Sequence, residues 1–366
     1  MKKIFAIAAA VIAFAACSNI DVVERPAASP IDFNPNALLT KALILPSSSM
    51  PDSLAFPTTE TFSVFAFANI TGTTNYGTPL MNDVEIAYHA TNNGGDWKAA
   101  AGTYLWPATG TVDFYAYHPA SLNASFDSLS NPKVVKLTGV ELGTSVGNQI
   151  DPLVAATLNQ LAASKPKVGL VFKHITSQIA VTAFDATETA SLQGKISIEK
   201  VVFKNMKTSG DYVEGTTIGK GAWSNINTNT DFTSFSGSEV LSLTESYLSA
   251  GAFSAAIDNS AAFVVIPDNI VTGTAIDQAI EVTYSIAAYT INGFDYPATP
   301  SQTVSIPLYD RVNAANKFEN GKRYVFHLGI SLDGANNEIH FSPVVEGWNT
   351  EDINGITVDA INACLM

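Results

Sequence analysis

The chain has 366 residues, 46% of them apolar and only 14% charged, with 33 Asp and Glu against 19 Lys and Arg for a net charge of −14. That balance disfavours nucleic acid and anionic lipid headgroups as partners, because both demand clustered Lys and Arg to displace counterions. Two cysteines, Cys17 and Cys364, are too few for a disulfide framework, and the length exceeds that at which a single core keeps growing, so two domains are expected.

Lys2 and Lys3 open the chain and a 13-residue apolar run, Ile4 to Ala16, follows. The run is too short for a spanning helix of ~20 residues but suits a cleavable export signal. Ala15 and Ala16 stand directly before Cys17, an order that resembles the lipobox, where the cysteine is acylated and becomes the first residue of the mature protein. Residues 1–16 are therefore expected to be a lipoprotein signal peptide, with Cys17 as the lipidation site bearing palmitate. Ser18 rather than Asp at the next position favours, by resemblance to lipoprotein sorting rules, the outer membrane. Setting aside Lys2 and Lys3 leaves 17 basic against 33 acidic residues, a net −16 from Cys17 onward, scattered as on a solvated surface. No second apolar run approaches spanning length, so the mature chain is expected to be soluble apart from its lipid. If Cys17 carries lipid, Cys364 has no partner in its own chain and is either buried as a small hydrophobe or paired between chains.

From Thr61 onward, β-branched and aromatic residues alternate with small or polar ones in short runs broken by Gly, Asn, Pro and Ser, which predicts an all-β protein. Thr61–Ala68 puts Phe62, Val64 and Ala66 on one face, and Val112–Tyr117 alternates likewise; both are predicted as half-buried strands. Asp151 to Ala163 is the main candidate for a short helix, with Asp151 as N-cap and Pro152 in the first turn. A strand, Val168 to Ala183, begins after Ser164-Lys165-Pro166-Lys167, and the domain boundary is placed there. Glu281 to Ile291 runs into Asn292-Gly293, the signal of a type I′ hairpin that returns through Phe294-Asp295-Tyr296. A second hairpin is predicted at Asp333 to Asn337, with Tyr324, Phe326 and Leu328 on one strand facing Ile339 and Phe341 on the other. Two blocks of short strands argue for two β-sandwiches with Greek-key connections.

Residues for chemistry are sparse. His89, His118, His174, His327 and His340 fall on different segments in no His-x-x-x-His or Cys-x-x-Cys arrangement, so no metal is expected. His118 and His174 read as capped or packed strand-end histidines. No Gly-x-Ser-x-Gly elbow and no phosphate-cradling loop occurs, and Glu351-Asp352 reads as a solvent-facing pair. Of the tryptophans, Trp97, Trp106, Trp223 and Trp348, the residue Trp106 in Tyr104-Leu-Trp-Pro107 reads as a core aromatic. No catalytic residue and no cofactor is expected. A cleft lined by exposed Trp and two distant carboxylates would instead make a glycan-binding protein or hydrolase.

Several segments together resemble the fimbrillin family of Bacteroidetes, lipoprotein precursors of surface pili. They are Thr61-Phe-Ser-Val-Phe-Ala-Phe67, Tyr104-Leu-Trp-Pro107 with Val112-Asp-Phe-Tyr-Ala-Tyr-His-Pro119, Val168-Gly-Leu-Val-Phe-Lys-His-Ile-Thr-Ser-Gln-Ile179, and Gly321-Lys-Arg-Tyr-Val-Phe-His-Leu328 leading to Ile339-His-Phe-Ser-Pro-Val-Val-Glu-Gly-Trp348. The resemblance implies two transthyretin-like Greek-key β-sandwich domains in tandem, residues 42–164 and 165–348, behind an N-terminal propeptide, 17–41. It also implies assembly by strand exchange: a trypsin-like protease cuts after a basic residue, an N-terminal strand leaves, and the C-terminal strand of another subunit fills the groove. The physics is that of a sheet edge templating an added strand.

Between Cys17 and the first predicted strand the basic residues are Arg25, which precedes Pro26, and Lys41. Lys41 is therefore the processing candidate, with Ala42 as the new N-terminus, although the family usually shows arginine there. Ile31 to Leu39 would be the removed strand, with Pro35 confining it to an edge or bulge. The tail, 349–366, is read either as the donor strand or as the last strand of its own sandwich. In it Ile356, Val358 and Ala360 share one face and, after a one-residue slip, Ile361, Ala363 and Leu365 another. Asp52-Ser53-Leu54 and Asp127-Ser128-Leu129 resemble short O-glycosylation acceptors. The expected function is a non-enzymatic pilus subunit on the outer-membrane surface, supporting adhesion through other fimbrial subunits and a host or glycan ligand. The alternative is an uncleaved lipid-anchored pilus anchor, or a stand-alone adhesin or glycan-binding lipoprotein.

Overall fold

The computed structural model describes residues 29–37, 56–70, 72, 76–91, 94–128, 133–146, 148–249, 251–254, 261–270, 277–309, 311–313, 315–332 and 339–347. Among them the regular structure is strand, with two short 3-10 turns, Ala162–Ser164 and Ala190–Leu192, and no α-helix. The all-β expectation is met.

The first half contributes β1 (Phe33–Ala37), β2 (Phe62–Asn69), β3 (Met81–Thr91), β4 (Gly94–Ala99), β5 (Thr111–His118), β6 (Ala124–Asp127), β7 (Val134–Glu141), β8 (Leu153–Leu161) and β9 (Val168–His174). Seven of these close into a barrel in the order β1-β4-β3-β2-β5-β8-β9, with β9 returning to β1. Its interior holds Phe33, Phe62, Val64, Phe114, Leu170 and Phe172, all buried.

The alternation of β2 and β5 is as read from the sequence, but neither strand is half-buried. Phe62, Val64 and Ala66 point into the barrel, while Phe65 and Phe67 point out, with Tyr115 and Tyr117 beside them, and those outward residues are buried too. A second sheet covers them. It is formed by β6 and β7 together with β12 (Ser209–Val213) and β13 (Ala222–Ser224), in the order β13-β12-β7-β6. Between sheet and barrel, Val135, Leu137, Val140 and Tyr212 meet Phe65, Phe67, Tyr115 and Tyr117 in one core.

The predicted helix at 151–163 is instead the strand β8, paired along its length with β5 and at its start with β9. Helix propensity in Ala155, Ala156 and Leu158 is a weak prior, and burial of Leu153 and Ala155 inside the barrel overrides it. Asp151 caps no helix. The single predicted strand 168–183 is two strands, because the chain passes from one sheet to another at Ile175 and Thr176: β9 stays in the barrel, and β10 (Ser177–Asp185) starts the second.

Beyond β10 the chain forms β11 (Ile196–Lys207), the pair β12 and β13, β14 (Asn229–Val240), β15 (Ser246–Leu248), β16 (Phe253–Ser254), β17 (Phe263–Val265), β18 (Ala279–Ile286), β19 (Tyr289–Ile291), β20 (Phe294–Tyr296), β21 (Thr299–Pro307), β22 (Lys322–Ile330) and β23 (Ile339–Gly347). Two sheets face each other across one core: β16-β15-β10-β22-β23, joined by β17, and β14-β11-β18-β21. Ile179, Val181, Phe263, Tyr324 and Phe326 from the first pack on Val201, Phe203, Phe232, Phe235 and Val282 from the second. The Asn292-Gly293 turn forms as predicted between β19 and β20, both residues at positive φ (52° and 80°). The two strands of the second predicted hairpin pair antiparallel as β22 and β23, while its predicted turn, 333–337, lies outside the described residues.

Candidate functional site

The site that the sequence points to is the groove holding the N-terminal strand. The chain enters it at Ser29, whose carbonyl accepts from the Trp106 N–H at 3.0 Å, while the Ile31 N–H donates to the Tyr104 carbonyl at 2.9 Å. β1 then runs parallel to β9 through five paired positions, Phe33↔Val168 to Ala37↔Phe172. On its other side β1 meets β4 at one position only, Phe33↔Trp97. The segment that closes the barrel is thus held by a full ladder on one flank and, on the other, by the single β4 pairing and the Pro30↔Leu105 bridge with its two hydrogen bonds.

Pro35 fits this asymmetry. The Val168 N–H donates to the Asp32 carbonyl at 2.9 Å, so alternation turns the even-numbered residues toward β9 and the Pro35 nitrogen toward β4, where no ladder continues. The expectation that Pro35 restricts this segment to an edge-like position therefore has a concrete form.

Side chains alternate with equal clarity. Ile31, Phe33 and Pro35 are buried and Pro30 and Asn34 exposed. Phe33 meets Phe62 and Phe114 edge-to-face, at ring-centroid distances of 6.0 and 5.8 Å. Phe56 lies deeper in the same barrel, against Phe62, Trp97 and Phe172 at 5.5, 5.4 and 5.1 Å. Without β1, the β9 backbone edge and the Phe62 and Phe114 rings would face solvent. Chemically the groove offers what a tight strand-binding site needs, an unpaired ladder plus apolar pockets at alternate positions. Lys167, next to β9, pairs with Asp96 at 2.5 Å; that bond and charge hold the Asp96 carboxyl below the usual carboxylate range. The pair is exposed and contributes little to holding the strand.

Under the end of the barrel, His118 closes β5, Leu153 opens β8, and His174 closes β9, so that Leu153 pairs with both histidines. Asp151 accepts from Thr176 Oγ1 at 2.7 Å and lies 2.6 Å from His174 Nδ1, all three buried. His118 Nδ1 lies 2.8 Å from the Thr61 carbonyl, and its ring meets Phe56 edge-on at 5.1 Å. Burial drives the His118 pKa below the usual histidine range, against the opposing pull of the Thr61 carbonyl and of Glu60 and Asp151. Both histidines are packed, as read from the sequence. Among the described residues no group of three or more His, Cys, Asp and Glu could hold a metal ion.

Cys17, Lys41, Ala42, Ile356, Val358, Ala360, Ile361, Ala363 and Leu365 lie outside the described residues, as do Trp348, Glu351, Asp352 and Cys364. Trp97 and Trp106 are buried in the barrel, and Trp223 is half-buried, its indole N–H donating to the Ile175 carbonyl at 2.8 Å. Of the groove residues, Phe114 and Phe172 lie in strands predicted from the sequence, whereas Phe56 carries no local signal.

The fimbrillin-like family matches residues 52–348 of the chain. No curated protein matches it. Among solved structures, a fimbrial protein from Bacteroides vulgatus is 15% identical, with 87% of this chain and 99% of that one covered and a TM-score of 0.51. Proteins named for cell adhesion from Bacteroides uniformis (17% identity, 87% and 99% covered, TM-score 0.47) and Bacteroides ovatus (15%, 89% and 100%, 0.49) are also similar. At such identities the likeness to the Bacteroides vulgatus structure concerns the fold.

Proposed function

The chain belongs to the fimbrillin-like family, and on that premise we propose that it is a structural subunit of a surface fimbria, exported as a lipoprotein and assembled by protease-triggered strand exchange. Cys17 carries the lipid and tethers the precursor to the outer membrane. Cleavage between Lys41 and Ala42 separates Ser29–Ala37 from the rest of the chain. The departing strand leaves the β9 edge and the pockets of Ile31, Phe33 and Pro35 open for the tail of another subunit. In that tail Ile356, Val358 and Ala360, or the alternate set Ile361, Ala363 and Leu365, repeat the every-second-residue spacing the pockets demand. The role is mechanical and adhesive rather than enzymatic.

The observation that carries this reading is the placement of β1. A segment just upstream of the candidate cleavage site closes a barrel through a continuous ladder to β9 and only scattered pairings on its other flank, with its large side chains in the core. Such a strand seals the fold while attached and is separable once cut. Mass spectrometry of the N-terminus of protein extracted from the native cell surface tests it. An unlipidated N-terminus at Ala42 is the expected result. A lipidated Cys17 with Lys41 intact would sink the exchange model and leave an anchor or a solitary adhesin.

A further inference from the structure

A second concave site lies on the opposite face of β2 from the strand groove. There the outward rings of Phe65 and Phe67, with Tyr115, gather around Phe126 of β6 at centroid distances of 5.8, 4.4 and 4.8 Å, and Tyr76 lies nearly parallel to Phe126 at 5.9 Å. Phe65, Phe67, Tyr76 and Phe126 line a cleft of about 330 Å³, at the small end of ligand-binding clefts and the size for one ring rather than an extended chain. Phe65, Phe67 and Tyr115 are buried, whereas Phe126 and Tyr76 are half-buried and present aromatic surface to the opening. Around the rings stand the polar Asn82, Asp83, Ser125 and Ser128 with the apolar Pro79 and Ala124.

One rim group and two tyrosines are anchored. Asp83, an exposed residue at φ 54°, accepts a hydrogen bond from the Tyr117 hydroxyl beneath it. The Tyr76 hydroxyl donates to Asp113 Oδ2 at 3.2 Å, and the Lys133 ammonium lies 5.7 Å from the Tyr76 ring centroid. Both tyrosine rings are thereby fixed before any ligand arrives, which lowers the entropic cost of binding.

We propose that this cleft binds a single neutral sugar ring, the terminal or branch residue of a glycan. A pyranose has an apolar C–H face and a belt of hydroxyls. The aromatic floor matches the first, and the Asp83 carboxylate, Asn82 amide and Ser125 hydroxyl of the rim match the second. A purely apolar ligand would make no use of that rim. A cationic ligand fits less well: the rim offers one carboxylate beside three uncharged groups, and the chain's own Lys133 already lies against Tyr76. Because Phe62, Val64 and Ala66 face the barrel interior while Phe65 and Phe67 face this cleft, sugar binding is independent of whether the N-terminal strand is exchanged.

The test is a glycan array probed with the purified protein, then calorimetric titration of the free monosaccharide from the best neutral hit. Two variants go in parallel: Phe126→Ala, which removes the floor, and Asp83→Asn, which keeps the acceptor for Tyr117 and tolerates positive φ. Saturable binding to a neutral glycan is expected, weakened at least tenfold by Asp83→Asn and lost in Phe126→Ala. Should Phe126→Ala fail to fold, Asp83→Asn decides alone. The proposal is overturned if no neutral glycan binds saturably, if Asp83→Asn binds within twofold of the parent, or if tetramethylammonium binds more tightly than the sugar and is lost with the same substitutions.

Discussion

Replacing Phe33 with alanine asks whether β1 is held by its core side chain or by its backbone. Phe33 is buried and meets two phenylalanine rings edge-to-face, so truncation removes a full aromatic from a packed interior, a change that costs about 3–5 kcal/mol. The ladder cannot compensate, since β1 is fully paired only to β9 and touches β4 at one position. In a chain with a specific protease site placed after Lys41, the cut segment stays bound until it dissociates. Loss of about 3 kcal/mol then corresponds to roughly a hundredfold weaker retention. The assay is size-exclusion chromatography of the nicked protein with mass spectrometry of the released segment over time. Asn34→Ala is the control, because Asn34 lies on the same strand but is exposed. Equal retention of the Phe33→Ala and parent segments, or equal loss in Asn34→Ala, would refute the argument that the apolar pocket holds the strand.

Three further outcomes follow from the fold. Gly110 has a φ of 87°, and a Cβ there would lie 2.0 Å from the Asn69 carbonyl oxygen; Gly110→Ala should lower urea-unfolding stability by more than about 1 kcal/mol, and an unchanged midpoint would contradict this packing of β5 against β2. Asp185, buried, accepts the N–H groups of Thr187 at 2.9 Å and Gly194 at 2.7 Å. Asp185→Ala leaves both amides to find other partners and should cost about 1–3 kcal/mol for each that does not, read as a fall in melting temperature. His118 has its pKa depressed chiefly by burial, so the folded state binds fewer protons at this site than the unfolded chain. The stability it contributes is present above the ordinary histidine pKa and is lost as pH falls through the depressed value. Between pH 7.5 and pH 5 the parent should therefore lose more stability than His118→Gln, although Glu60 and Asp151 oppose the shift and His174 adds to it; parallel pH profiles would count against the burial of a neutral imidazole.

The strands legible in the sequence are those whose signal is local. Period-two alternation in Phe62–Asn69 and Thr111–His118, and the need for positive φ at Asn292 and Gly293, depend on residues only a few places apart. The N-terminal segment Ile31 to Leu39 is marked instead by the family resemblance and its place before Lys41; the alternating burial of Ile31, Phe33 and Pro35 is a finding of the structure. Composition likewise pointed away from nucleic acid, and a run of family-like segments pointed to fimbrillins. What stayed hidden was set by distant partners. Leu153–Leu161 is a strand rather than a helix because β5 and β9 flank it. Phe65, Phe67, Tyr115 and Tyr117 are buried because β7 and β12, separated by about 70 residues of chain, join into a sheet over them. The aromatic cleft belongs to the same class, since Phe65, Tyr76, Asp83 and Phe126 come from four separate segments. Sequence determines which faces of a strand are apolar; only tertiary structure decides what covers each face, because pairing and burial are properties of contacts between segments that the local pattern cannot specify.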